Sequence, residues 1–195
     1  MRTIAAALAL AAVMTAVLSR ADASVIPMLQ RTILDPAARF TIRVPATWQV
    51  VTSNGDPVVE ARSPVPTGHT PSTVDVIVRD MHAALSPESC VRQAETVMRY
   101  VIPSFKTLSE SPKTIGGLPA YSHAYTWLTR GGEERRSLQV CVTIANRAFV
   151  VIGTTGNTPD QVRHDMPTLT HIIETLHPYP FSPEPGLLVP ASRNQ

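Results

Sequence analysis

Residues 118–155 constrain the fold more than any other part of the chain, because they contain three extended segments separated by two turn signals. Gly131-Gly132 separates residues 118–130 from residues 133–144, and glycine tolerates the positive φ that a two-residue hairpin turn requires. Asn146-Arg147 then leads into residues 148–155. The sequence therefore predicts three consecutive antiparallel strands.

A two-residue turn at Gly131-Gly132 would also fix which residues lie opposite one another. On one face the predicted pairs are Tyr121 with Val142, His123 with Val140 and Tyr125 with Leu138. On the other face Ser122 is opposite Cys141. The second turn places Val142 opposite Val151, and Cys141 opposite Ile152. Both faces carry apolar side chains, so we expect other elements to cover both.

The first 23 residues have the pattern of a signal peptide. Arg2 precedes an apolar run at residues 4–18, and Ala21-Asp22-Ala23 supplies the small residues of a cleavage site. The run is too short for a membrane span, and no cysteine follows the site to accept a lipid. We expect cleavage near Ala23 and a soluble product, periplasmic or secreted, with no stable membrane anchor.

After these 23 residues, 172 of the 195 remain, which suits a single domain at residues 24–177. Residues 178–195 contain five prolines and are predicted to form a flexible tail. The formal net charge of the whole chain is +2. Such a balance gives no reason to expect binding to nucleic acid or to anionic lipid.

Two helices are predicted on either side of the hairpins. Ser86-Pro87 begins the first, which ends near Ile102, and its predicted buried stripe comprises Cys90, Val91, Ala94, Val97, Met98 and Val101. Glu88 with Arg92 and Glu95 with Arg99 are spaced i,i+4 and are predicted to form ion pairs on its solvated face. Thr158-Pro159 begins the second, whose apolar stripe continues past Pro167 and so predicts a kink rather than an end. Alternating segments at residues 40–44, 48–52, 58–62 and 73–81 predict four earlier strands, of which the first three are expected to form a meander.

Motifs that would indicate an enzyme are missing from the sequence. There is no G-x-S-x-G, H-E-x-x-H, C-x-x-C or phosphate-binding loop motif. His164 and His171 are two turns apart on the predicted last helix, too far apart to bind one zinc ion. We therefore expect no catalytic residues, no cofactor and no metal site from local spacing, which leaves open only a site assembled across the fold.

The row Tyr121, His123, Tyr125 and Trp127 is the strongest candidate for ligand binding, because aromatic side chains on one sheet face can line a groove. The alternative is that these side chains form the wall of a core. Leu138, Val140 and Val142 are predicted to lie opposite them, which favours the core.

The two cysteines, Cys90 and Cys141, lie in a chain predicted to be exported, where a disulfide is chemically permitted. Small residues line the second face of the hairpin: Ala120, Ser122, Ala124, Gln139, Cys141 and Thr143. We expect the first helix to pack on that face and to bring Cys90 to Cys141. The alternative is a pair of small buried side chains that never meet.

Three local patterns resemble the PsbP-like domain family. Residues 40–48, FTIRVPATW, resemble its opening strand, proline and tryptophan, while Gly116-Gly117 before a long hairpin and the closing IIETL at residues 172–176 resemble later landmarks. The family includes PsbP, DcrB-type envelope proteins and mycobacterial secreted antigens. The resemblance implies an α+β fold with an antiparallel sheet sandwiched between helices, no catalytic residues, and a binding or accessory role.

The leading hypothesis is an exported, non-enzymatic binding or accessory protein of the cell envelope with a protein partner. One alternative is a small-ligand carrier or enzyme that uses the face of Tyr121, His123, Tyr125 and Trp127. Another is a secreted effector or antigen. The chain departs from the family pattern by lacking a lipid-accepting cysteine and by carrying Cys90 and Cys141.

Overall fold

Residues 27–65 and 70–179 are described by the structure, a computed structural model. The predicted signal peptide and residues 180–195 of the predicted tail lie outside this range. The described strands are β1 (Arg31–Asp35), β2 (Phe40–Val44), β3 (Gln49–Thr52), β4 (Val59–Arg62), β5 (Thr73–Asp80), β6 (Lys106–Ile115), β7 (Leu118–Leu128), β8 (Glu134–Ile144), β9 (Arg147–Gly156) and β10 (His177–Pro178). The helices are α1 (Pro87–Val101) and α2 (Pro159–Glu174).

Seven strands form one antiparallel sheet in the order β3-β4-β5-β9-β8-β7-β6. Helix α1 packs on β7 and β8, while α2 packs mainly on β9 and also contacts β5, β8 and β2. A small sheet in the order β1-β2-β10 accompanies α2. The expected antiparallel sheet between helices is confirmed. In the described part of the chain, no helix is long and apolar enough to cross a membrane.

The main core fills the space between the large sheet, α2 and the small sheet. Phe40 from β2 and Phe149 from β9 are almost completely buried, and their ring centroids are 6.4 Å apart in an edge-to-face arrangement. Gly153 allows α2 to approach closely, because a Cβ atom there would lie 3.1 Å from Leu169 Cβ. The apolar side chains on this side of the sheet thus hold three layers together.

The small sheet contains the main difference from the predicted early strands. β2 was expected to join a meander with its neighbours, but it pairs with β1 and with β10, and only β3, β4 and β5 form the meander. Pro178 and Tyr179, at the start of the predicted tail, belong to this region: Pro178 pairs with Phe40, and the Tyr179 amide donates to the Arg39 carbonyl at 3.1 Å. β2 and β10 are far apart in the sequence, so no local pattern of residues predicts that they pair.

The turn between β7 and β8 is one residue longer than predicted. The last pair is Leu128 with Glu134, the Thr129 amide donates to the Glu133 carbonyl at 2.9 Å, and the Gly132 amide donates to the Thr129 carbonyl at 2.9 Å. Gly132 has φ of +81°. This geometry is a three-residue loop, a turn followed by a left-handed residue, and it replaces the predicted two-residue turn.

One extra loop residue moves every predicted partner in the hairpin to the other face. Tyr121 lies opposite Cys141, Ser122 opposite Val140, His123 opposite Gln139 and Tyr125 opposite Ser137. The predicted pairs were therefore wrong. Helix α1 packs on the aromatic face, which includes Cys141, and not on the face of Ala120, Ser122 and Ala124.

The turn between β8 and β9 also differs from the prediction, but without exchanging faces. Ala145 and Asn146 form it, with Ala145 at φ of +53°. Val142 consequently lies opposite Phe149 instead of Val151, and Cys141 opposite Val150 instead of Ile152. A shift of two residues preserves the side of each residue because the side-chain period of a strand is two.

Both helix starts are as predicted. The Ser86 side chain accepts a hydrogen bond from the Ser89 amide, and the Thr158 side chain accepts one from the Gln161 amide. Helix α2 continues through Pro167. The buried stripe of α1 differs from its prediction: Cys90, Val91 and Glu95 are buried, whereas Val97 and Val101 are 61% and 62% exposed. The helix is rotated so that Glu95 faces β6.

Candidate functional site

A buried polar cluster lies where α1 crosses β6 and β7. Glu95 is one helical turn after the fully buried Val91, so α1 directs it toward the sheet. His123 on β7 lies opposite Glu110 on β6 in the strand register. Glu95 is 8% exposed and His123 is completely buried. Three ionisable groups from three elements therefore converge beneath α1.

Short contacts connect these groups. The Thr107 hydroxyl donates to Glu95 Oε1 at 2.8 Å, and its oxygen is 3.2 Å from His123 Nε2. His123 Nε2 is also 3.9 Å from Glu110 Oε1, which is too long for a hydrogen bond. Burial lowers the pKa of His123, so its imidazole is neutral at neutral pH.

Two arginines of α1 pair with the two carboxylates of the cluster. Arg92 Nη1 is 2.6 Å from Glu110 Oε2, and Arg99 Nη2 donates to Glu95 Oε1 at 2.5 Å. Burial alone would raise the pKa of Glu95, but the hydrogen bonds from Thr107 and Arg99 outweigh it and lower that pKa. The side chains of Arg92 and Arg99 are about half-exposed, so these two arginines lie between the buried cluster and water.

Two atoms of this cluster are buried without a hydrogen-bond partner among the described residues: Glu110 Oε1 and His123 Nδ1. The oxygen and the nitrogen of the side-chain amide of the neighbouring Gln139 are also buried without a hydrogen-bond partner among the described residues. An unpaired buried polar atom costs on the order of 1–3 kcal/mol. Three such side chains on adjoining strands therefore mark the region beneath α1 as energetically unusual.

The predicted ligand-binding row lies partly within this cluster. His123 and Tyr125 are buried, while Tyr121 and Trp127 are half-buried. Phe105 closes over the middle of the row, with ring centroids 4.9 Å from Tyr125 and 5.8 Å from His123. Burial raises the pKa of Tyr125 to about 12. This packing favours the interpretation of His123 and Tyr125 as the wall of a core.

Sequence reasoning missed the other members of the cluster. Glu95 was assigned, with Arg99, to a solvated helix face because the two are spaced i,i+4; that assignment was wrong because Glu95 is buried. Thr107 and Glu110 lie on β6, a polar strand containing Pro112 that shows no apolar alternation. Its position at the sheet edge explains this composition.

A disulfide joins Cys90 and Cys141, whose Cα atoms are 6.7 Å apart. It ties the first turns of α1 to β8. Val91 and Ala148 are buried beside it, and Met81, Tyr121 and Val150 pack against them. The pair is the one predicted from the sequence, although it lies on the face that carries the aromatic row.

The outer side of α1 presents a contiguous apolar surface that we name the α1 stripe: Val97, Tyr100 and Val101. Their exposed fractions are 61%, 92% and 62%. The spacing i, i+3, i+4 places the three side chains next to one another on a helix. Isolated exposed apolar residues are ordinary, but a contiguous group of them is a feature of interaction sites.

Asp75 on β5 lies on the same side of the sheet as His123, since Asp75, Ile152, Gln139 and His123 are successive cross-strand neighbours. It is half-buried. Burial, aided by the charge of the adjacent Glu60 and opposed by Arg62, raises its pKa from 3.8 to about 6. This part of the sheet face therefore carries a carboxylate that is costly to ionise.

The substitution Asp75→Asn is expected to stabilise the protein at neutral pH. The folded state holds the Asp75 proton more tightly than the unfolded state, so the carboxyl group causes stability to fall as pH rises from about 4 to about 6. Allowing for partial exposure, the gain at pH 7.5 is about 1–2 kcal/mol. Urea denaturation at pH 7.5 and pH 3.5 measures it; an equal gain at both values would contradict this explanation.

A second polar group lies beside the second turn of α2. The hydroxyl groups of Ser72 and Thr155 both contact Asp165 Oδ2 at 2.7 Å, and they are 2.9 Å from each other. A cavity of about 250 Å³ adjoins Asp165 and His164. Ser72 and Thr155 are buried and satisfied by Asp165, which is the arrangement of a structural network.

Comparison with known proteins identifies the fold. No protein-family model and no curated protein sequence matches this chain. Cyanobacterial PsbP (CyanoP) from Synechocystis sp. PCC 6803 is similar in structure, with a TM-score of 0.59 and 15% identity over 76% of this chain and 92% of CyanoP. LpqN, involved in cell envelope biogenesis of Mycobacterium tuberculosis, has a TM-score of 0.57 and 19% identity over 77% of this chain and 90% of LpqN.

The Ran-binding protein Mog1p of Saccharomyces cerevisiae is similar as well, with a TM-score of 0.51 and 8% identity over 75% of this chain and 94% of Mog1p. The names of these three proteins describe PsbP, an envelope biogenesis protein and a binding protein, and none of them names an enzymatic activity. At these identities the similarity concerns the fold, and the chain has the PsbP-like fold.

Proposed function

We propose that this chain of PsbP-like fold is an exported, non-enzymatic binding protein of the cell envelope, and that it contacts a protein partner through the α1 stripe. The observation that carries the proposal is the contiguous exposure of Val97, Tyr100 and Val101 on a helix whose other side is anchored to the sheet. Aromatic side chains are enriched at protein interfaces.

The charges beside the α1 stripe indicate what kind of partner fits it. Arg92 is paired with Glu110, and Arg99 with Glu95. Because these arginines are already neutralised within the protein, the surface offers apolar area rather than an unbalanced charge. The partner is therefore an apolar protein surface, and its binding should change little between low and high salt.

Three observations support the proposed location. The Cys90–Cys141 disulfide is the kind of bond that persists in oxidising compartments, and the similar protein LpqN is involved in cell envelope biogenesis. The pattern of a cleavable signal peptide at residues 1–23 agrees with export. Fractionating culture medium from periplasm would separate an envelope role from that of a secreted effector or antigen.

The packing of the predicted aromatic row argues against a small-ligand carrier as the primary function. A small organic ligand stacked on the ring of His123 or Tyr125 would have to displace Phe105, whose ring lies 4.9 Å from that of Tyr125 and carries Arg99 above it at 5.4 Å. The exposed α1 stripe needs no such rearrangement. Protein binding is therefore the function that the geometry supports best.

Site-specific photo-crosslinking in the exporting cell tests this proposal. A photoreactive benzoylphenylalanine replaces Tyr100, which is 92% exposed, and the matched control replaces Leu34, which is 60% exposed on β1 in the small sheet on the α2 side. We expect one dominant crosslinked protein from position 100 and none of it from position 34. Crosslinking of the same protein from both positions, or from position 34 alone, would reject the α1 stripe.

A further inference from the structure

The clearest group that the proposed function leaves unused is the polar cluster beneath α1. We propose that Glu95, Glu110 and His123 form a binding site for one divalent transition-metal ion, of which zinc is the representative. The donor atoms of these three residues all lie within 4.8 Å of one another. They come from α1, β6 and β7, so only the folded chain assembles them.

The gap between His123 and Glu110 is the first argument. His123 Nε2 and Glu110 Oε1 are 3.9 Å apart, and Glu110 Oε1 is buried without a partner among the described residues. Bonds from zinc to imidazole nitrogen and to carboxylate oxygen are each about 2.0–2.2 Å. An ion between the two atoms would therefore bridge a separation that no hydrogen bond spans, and would satisfy the buried oxygen.

The outer contacts of the carboxylates are the second argument. Arg92 holds Glu110 through Oε2 at 2.6 Å and leaves Oε1 directed toward His123. Carboxylates that bind a metal are themselves commonly hydrogen-bonded by neighbouring groups, which fixes their orientation. Thr107, whose oxygen is 3.2 Å from His123 Nε2, fixes the position of Glu95 through a bond of 2.8 Å.

The kind of ion follows from the donors. One imidazole with two carboxylates suits zinc and related transition metals, whereas magnesium and calcium prefer oxygen donors alone. Three protein ligands with a fourth position open is an arrangement that zinc accepts.

Arg99 is the competitor of the metal, because its guanidinium occupies Glu95 Oε1 through bonds of 2.5 Å and 3.0 Å. Its side chain is 55% exposed and can turn toward water when an ion binds. The substitution Arg99→Gln removes this competing charge. The proposal therefore makes an unusual prediction: the loss of an arginine from the cluster should tighten metal binding.

Isothermal titration of the chelator-treated mature protein with zinc chloride tests the site. We expect one ion per chain, at least about a hundredfold weaker affinity for Glu110→Gln, which removes a ligand, and tighter binding for Arg99→Gln. His164→Asn, an exposed histidine on α2, is the matched control and should bind as the wild type does. Circular dichroism melting checks that each variant is folded.

Cobalt absorption and X-ray absorption of the zinc-loaded wild type keep the proposal testable if a variant fails to fold. We expect the absorption spectrum of the cobalt-loaded protein to indicate a low coordination number. We expect X-ray absorption to show zinc bound by one imidazole nitrogen and otherwise by oxygen atoms. The proposal is overturned if wild type and Glu110→Gln bind zinc equally, if binding is lost in His164→Asn, or if the wild type takes up no stoichiometric zinc.

Discussion

Replacement of both cysteines by alanine is expected to lower the free energy of unfolding by about 4 kcal/mol. The Cys90–Cys141 bond closes a loop with a sequence separation of 51 residues, and the chain-entropy model gives about that value for a loop of this length. Because the bond also ties α1 to β8, its loss should weaken the contacts of Glu95 with β6.

Urea denaturation of the oxidised wild type and of the double variant Cys90→Ala/Cys141→Ala measures this difference. The wild type in the presence of a reductant is the matched control and should lose a similar amount of stability. Two free thiols in protein isolated from the periplasm under non-reducing conditions would contradict the account, as would a double variant of unchanged stability.

Phe149→Ala is expected to cost about 3–5 kcal/mol, the usual range for removing a large aromatic side chain from a core. Phe149 is 1% exposed and lies on β9, and its ring meets that of Phe40 across the interface between the two sheets. Among the described residues, this is the one aromatic pair that joins β2 to β9. The substitution would leave a cavity at that contact.

The control for this substitution is Tyr100→Ala, at a position that is 92% exposed. Surface substitutions of this kind usually change stability by less than about 0.5 kcal/mol. Thermal or urea denaturation compares the two variants. A loss of less than about 1 kcal/mol in Phe149→Ala would show that the two sheets do not pack through this residue as described.

The two helices and the strands β2 to β5 and β7 to β9 could be predicted from the sequence because their signals are local. Ser86-Pro87 and Thr158-Pro159 begin helices where the capping chemistry indicates, and the apolar alternation of β7, β8 and β9 identifies their strands. The PsbP-like resemblance rested on short motifs of the same kind. Local signals were thus sufficient for the fold class, whereas the bond between Cys90 and Cys141 was expected from a helix packed on the other face of the hairpin.

The faces of the hairpin could not be predicted with the same means. Gly131-Gly132 is compatible with both a two-residue turn and a three-residue loop in which only Gly132 has positive φ. The difference is one residue, yet it decides whether Tyr121 shares a face with Val142 or with Cys141. The choice depends on packing across the sheet, because α1 and its disulfide require Cys141 to lie beneath the helix.

The candidate sites were hidden for a related reason. Glu95 with Arg99 has the spacing of a solvated ion pair, and Val97 and Val101 have the spacing of a buried stripe. Because α1 is rotated about its axis, Glu95 is buried instead, and Val97 and Val101 are exposed. The polar cluster needs Glu110 on an edge strand that has no apolar pattern. A rotation of one helix about its axis is set by tertiary contacts, which the periodicity of the helix alone does not contain.

The most direct test of the proposed function compares capture of the crosslinked partner by two double-charge variants. Val97→Asp/Val101→Asp places two charges in the α1 stripe, and Leu34→Asp/Val51→Asp places two charges at other exposed apolar positions, 60% and 51% exposed. We predict that the first variant loses capture, that the second retains it, and that wild-type capture is unchanged between low and high salt. Equal capture by both variants would contradict the account.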